Sequence, residues 1–151
     1  MAATSTTVGP ISNLEITKRW INEVWNECRT ETAHELMAHD AVVYGLGEPG
    51  VSVRGPDAFL QFFATIRTAF PDLHMTIEHT VTEGDWVCVR FSTTGSYRGG
   101  LGFPGNGKRA QVSGLAMVRL AEGKIVENWA MWDQRGMLLQ IGAPENIRLL
   151  R

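Results

Sequence analysis

An α+β fold is what this sequence predicts. Helical periodicity is gathered in its first half, period-two alternation fills its second half, and no linker or internal repeat divides its 151 residues. A twisted, mostly antiparallel sheet curling around the first and third helices accounts for all three, and such a sheet can close a conical pocket. Residues 1–10 read as a loose tail and 11–151 as a single domain, large enough to bury a core or enclose a small cavity.

Taken in order, Asn13 is placed to cap a first helix whose stripe is Leu14, Thr17, Ile21, Val24, Trp25 and Cys28. Thr32 and Glu35 have capping-box spacing and start a short second helix. Ala41 to Tyr44 is β-branched enough for a strand, which Gly45, Gly47, Pro49 and Gly50 break. Gly55-Pro56-Asp57 opens a third helix through Phe59, Leu60, Phe62, Phe63 and Ile66 that stops before Pro71. A hairpin follows. Leu73, Met75, Ile77, His79 and Val81 alternate, Glu83-Gly84-Asp85 turns, and Val87, Val89, Phe91 and Thr93 return. Pairing about Gly84 sets His79 against Val89, Glu78 against Arg90, Thr80 against Cys88 and Thr76 against Ser92, so Arg90 is expected in a surface ion pair with Glu78. A Gly-rich connection from Arg98 to Arg109, carrying Leu101 and Phe103, reads as mobile. The second hairpin runs from Ala110 to Leu120 and from Lys124 to Asp133 around Ala121-Glu122-Gly123, and a last helix ends at Gly142.

Composition excludes several function classes. A net charge of -2 with 20% charged residues gives no electrostatic bias toward nucleic acid or a membrane surface. No apolar run approaches the roughly 20 residues of a membrane helix, and the opening Met1-Ala2-Ala3-Thr4-Ser5-Thr6-Thr7 lacks the basic start and apolar core of a signal peptide. Cys28 and Cys88 fall in helix and strand interiors without metal spacing, so buried reduced thiols and a cytoplasmic location are expected. His34 and His39 are spaced one residue too wide for one helix face, and no metal is expected. Gly100-Leu101-Gly102-Phe103-Pro104-Gly105 spells G-x-G-x-x-G, but a strand follows it where a phosphate site needs a helix.

Asp133 is the residue most able to carry chemistry. It ends the apolar strand Ile125-Val126-Glu127-Asn128-Trp129-Ala130-Met131-Trp132 and precedes a helical run. Two readings stay open on pattern alone. As a desolvated carboxylate beside a carbonyl compound it is the minimum equipment for moving a proton; as the N-cap of the last helix it accepts from the amides of Arg135 or Gly136. His79 falls on the apolar face of its strand, where a core histidine and a pocket histidine look alike. Met75, Met117, Met131 and Met137 suit core filling and a greasy pocket equally.

Several short motifs occur in one order: Arg54-Gly55-Pro56-Asp57-Ala58, Phe70-Pro71-Asp72-Leu73, Glu83-Gly84-Asp85, Glu122-Gly123-Lys124-Ile125-Val126-Glu127-Asn128-Trp129, and Asp133 followed by Leu138-Leu139-Gln140-Ile141-Gly142. Together, from about Leu14 to Gly142, they resemble the SnoaL-like polyketide cyclases of the nuclear transport factor 2-like superfamily. The resemblance implies a cone-shaped α+β barrel, a homodimer or homotetramer, no cofactor, and a hydrophobic small-molecule substrate such as a polyketide ester. It also implies that Asp133 matches the aspartate serving as acid/base for an intramolecular aldol ring closure; Tyr44, His79, Trp129 and Met117 are the residues expected to shape the substrate pocket. The cyclases' late pocket histidine has no counterpart, since His34, His39, His74 and His79 all precede the second hairpin. No Arg-x-Asp occurs, which removes limonene epoxide hydrolase chemistry, and Tyr44-Gly45 stands where ketosteroid isomerase places its base. The other reading of the same fold is a non-catalytic module that binds a small molecule or docks a protein.

Overall fold

The computed structural model describes residues 11–149, so the tail at 1–10 lies outside the described residues. The order is α1 (Asn13–Arg19), a π-helical continuation (Trp20–Asn26), α2 (Thr30–Leu36), β1 (Met37–Tyr44), β2 (Ser52–Arg54), α3 (Gly55–Ala69), β3 (His74–Glu83), β4 (Trp86–Ser96), β5 (Arg109–Ala121), β6 (Lys124–Trp132) and α4 (Gln134–Gln140). The strands form one curved six-stranded sheet in the order β2-β1-β6-β5-β4-β3. It is mixed α+β as expected, but the sheet does not close into a barrel: β2 and β3 are its edges. All neighbours are antiparallel except β1 and β6, which run parallel.

The long helices arise much where expected, with different ends. Ser12, not Asn13, caps α1, its Oγ accepting from Glu15 N–H at 3.2 Å. The π-helical segment widens the turn, so Trp20, Ile21 and Val24 are all buried and Trp25 packs edge-on against Phe59 and Phe63. Thr32 does not cap α2; Arg29 precedes that helix, and Thr32 is buried with its hydroxyl donating to Glu23. Helix α3 has Pro56 in its first turn and buries Phe59, Phe62, Phe63 and Ile66, as its aromatic stripe requires. Cys28 is exposed at the end of the π-helical segment with a positive φ of 58, and Cys88 is half-buried, so neither is the fully buried thiol expected from an element interior.

One bulge corrects the hairpin register. The β3–β4 turn is the two-residue Gly84-Asp85, with Glu83 against Trp86, so His79 faces Arg90 and Thr80 faces Val89. The register shifts between Ile77 and His79, which restores Thr76 against Ser92. One extra residue flips everything beyond it to the other face. Met75 and Ile77 therefore point inward while His79 and Val81 are exposed. The expected Arg90–Glu78 ion pair does not form: Glu78 accepts from the Ser92 hydroxyl at 2.6 Å, and Arg90 Nε donates to His79 Nδ1 at 3.2 Å.

The Gly-rich connection is pinned, contrary to expectation. Tyr97 is fully buried, donates its hydroxyl to the Phe103 carbonyl at 2.7 Å, accepts from Leu101 N–H and stacks on Phe103 at 4.5 Å. Asn106 Nδ2 ties the same loop to the Ile141 carbonyl at 2.8 Å.

Candidate functional site

The inner face of the sheet carries a hollow because its central strands present small side chains there. In register, Val89 of β4, Ala116 of β5 and Ala130 of β6 form one row, and Phe91, Gly114 and Trp132 form the next. A Cβ on Gly114 would fall 2.5 Å from the Phe91 ring and 2.9 Å from Trp132 Cβ, so glycine is what lets the two aromatics approach from either side. The helices cover this face from above with Thr17, Trp20, Ile21 and Trp25, then Phe59, Phe62 and Ile66, and Met137 of α4 closes one side. A cavity of about 120 Å³ results.

Its wall is almost wholly apolar. Among the described lining residues none is an acid, a base, a cysteine or a tyrosine; the polar ones are Thr17, Thr93, Thr94 and Asn128. Thr17 donates its hydroxyl to the Asn13 carbonyl at 2.9 Å. Asn128 differs: its Oδ1 is buried and makes no hydrogen bond. Leaving such a group unpaired costs about 1–3 kcal/mol. No three His, Cys, Asp or Glu side chains gather among the described residues in a way that could hold a metal.

The residues singled out from sequence lie elsewhere. Asp133 is exposed at the N-cap of α4, its Oδ1 accepting from Gly136 N–H at 2.8 Å. It directly follows the wall residue Trp132. Tyr44, Trp129 and Met117 are brought together, but on the outer face of the sheet: Met117 opposes Trp129 across β5 and β6, and Trp129 stacks on Tyr44 of β1 at 3.9 Å and 15°. His79 is on that face too, out at β3. None of the five lines the cavity. Alternation along β6 separates two faces without saying which one the helices cover, and the greasier odd-numbered face, Trp129 and Met131, turns out to be the outer one. Inward-facing Asn128, Ala130 and Trp132 were the missed set. Their signal is relayed through register: Val89 inward fixes Ala116 inward, and Ala116 fixes Ala130.

The outer face is equally distinctive. A straight cross-strand row runs Val81, Cys88, Met117, Trp129, Tyr44 over five strands, with Leu115 and Met131 beside it. Val81 is 67%, Met117 48%, Trp129 48% and Met131 77% exposed, far more than single surface apolars require. At its margin Glu127 accepts from Trp129 Nε1 at 2.6 Å and from Arg119 Nε at 2.9 Å, and these two donors hold its carboxyl below the ordinary value of 4.5.

A curved open sheet with an apolar cavity under its helices and a bare outer face defines an α+β protein with a cavity between sheet and helices. The family model for SnoaL-like polyketide cyclase matches residues 15–141, and the chain belongs to that family. It is 26% identical over 133 residues to an aklanonic acid methyl ester cyclase of Streptomyces sp. (strain C5), covering 87% of this chain and 82% of that one. It is 29% identical over 122 residues to the nogalonic acid methyl ester cyclase of Streptomyces nogalater, covering 80% and 90%. Among solved structures, wild-type IdmH from Streptomyces antibioticus superposes with a TM-score of 0.78 at 29% identity, covering 88% of this chain and all of that one.

Proposed function

We propose that this chain takes up an apolar polyketide ester in its cavity and closes a ring in it by an intramolecular aldol-type reaction that needs no cofactor. The observation that carries this reading is the cavity wall, aromatic and aliphatic but for three threonines and Asn128, in a chain of the cyclase family. Such a wall excludes water and folds a flexible ester so that its carbon nucleophile meets its own carbonyl, and confinement of this kind supplies much of the barrier reduction in ring closures. A C–H flanked by carbonyls gives up its proton, the resulting enolate carbon bonds to the second carbonyl carbon, and the alkoxide so formed takes a proton back. Asp133 is the carboxylate this reading assigns to both transfers; from an exposed cap position it serves a ligand that projects past Trp132. Both cysteines are free thiols, which suits work in the reducing cytoplasm. The outer row centred on Met117 and Trp129 supports a homodimer in which two sheets meet face to face.

One observation favours a second reading, ligand holding without turnover: none of the described lining residues titrates, and Asp133 already holds the Gly136 amide. Aklanonic acid methyl ester is the probe that separates the two. Aldol closure conserves mass, so the expected product is a new chromatographic peak of unchanged mass. Loss of that peak by at least about 100-fold in Asp133→Asn, with binding retained, supports the acid/base assignment. Full activity in that variant removes Asp133 from the chemistry, and binding by the wild type without any new peak establishes the holding module.

A further inference from the structure

Asn128 is the one buried side-chain polar atom without a partner among the described residues, and it belongs to the cavity wall. Its place in the sheet explains why no protein group satisfies it. On β6 it stands between Val118 of β5 and Val43 of β1, which offer only hydrocarbon, and the backbone groups beside it are committed to the strand ladders. Strand β6 then continues inward with Ala130 and Trp132, so Asn128 is the polar end of an otherwise apolar strip. The other polar wall residues have a different standing: Thr17 is bonded within its own helix, and Thr93 and Thr94, half-buried on β4, leave no fully buried oxygen unpaired.

We propose that Asn128 is the polar anchor of the cavity, its Oδ1 accepting a hydrogen bond from a hydroxyl of the bound molecule, phenolic or enolic, and thereby setting which end of that molecule enters first. This rests on the cavity being the ligand site and adds to it a preference for hydroxylated aromatic or enolic ligands over their deoxy or methylated counterparts. An amide does not titrate near neutral pH, so Asn128 orients the ligand and takes no proton from it. An unmet acceptor in an apolar wall discriminates strongly, because a ligand without the matching donor leaves it unpaired.

The test uses the wild-type protein with 2-naphthol, 2-methoxynaphthalene and naphthalene, and follows binding by ligand-observed NMR. Naphthalene reports on the cavity alone. The anchor predicts that 2-naphthol binds roughly 5- to 10-fold more tightly than naphthalene, that the methyl ether loses this advantage, and that Asn128→Leu binds all three alike. Asn128→Val serves as the second variant, and both are expected to melt higher than wild type because an unpaired oxygen has been removed. Equal wild-type affinities for 2-naphthol and naphthalene overturn the anchor while leaving the cavity reading intact, as does selectivity that survives in both variants. Failure of all three compounds to bind the wild type overturns the cavity reading and the anchor with it.

Discussion

Asp133 shows how one residue satisfies two incompatible expectations until its neighbours are placed. Its carboxylate caps α4 through Gly136 N–H, a bond that asparagine makes equally well and alanine does not. Asp133→Ala is therefore expected to lose about 1 kcal/mol in urea unfolding, and Asp133→Asn to stay within a few tenths. That near-neutrality is what makes the asparagine variant a clean probe of chemistry. Tyr97 is the opposite case, a buried hydroxyl with two backbone partners that hold the Gly-rich connection closed. Tyr97→Phe leaves the Phe103 carbonyl and the Leu101 amide without it, and a loss of about 1–3 kcal/mol is expected by the same measurement. Neither role follows from the residue's type: Asp133 was legible as a cap from spacing, whereas nothing local announces what Tyr97 bonds.

At the scale of elements, α1 and its π-helical continuation are clamped to α2 by charge. Arg19 bonds Glu23 on its own helix and Glu35 across the gap, and Arg29 adds a 3.5 Å contact to Glu23. The Arg19 guanidinium holds the Glu23 carboxyl below its ordinary 4.5 against the opposing effect of partial burial. A depressed carboxylate contributes stability above its unfolded value and loses it as pH falls through the folded one. The urea midpoint is therefore expected to be level down to about pH 5 and to drop below about 4.5, with Glu23→Gln lowering the plateau and flattening the drop. Element existence was largely readable: periodicity located α1, α3 and both hairpins. Element ends and faces were not, because the bulge at Glu78 and the two-residue turns Gly84-Asp85 and Glu122-Gly123 decide register by single residues. The short edge strand β2 carried no alternation long enough to notice.

For the whole molecule, the two faces of the sheet differ in what covers them. The inner face lines the cavity with Ala116 and Ala130, and the outer face leaves its apolar row exposed. Ala116→Leu is expected to fill the hollow and abolish naphthalene binding while leaving assembly unchanged, checked by NMR and light scattering. Met117→Glu places a charge in the centre of the row; the expected result is a dimer in wild type and a monomer in the variant at micromolar concentration, with naphthalene affinity kept. A wild-type monomer would remove the dimer from the proposed function. The sequence by itself determined the fold class, the family resemblance and the order of the helices and strands other than β2, since hydrophobic period and turn residues act within a few residues of each other. Only the tertiary structure decided which face of β6 is inside, that Asn128 and not Asp133 looks into the cavity, and that Tyr44, Trp129 and Met117 lie outside it. Those facts depend on the sum of several cross-strand registers, where one bulge reverses every side chain beyond it.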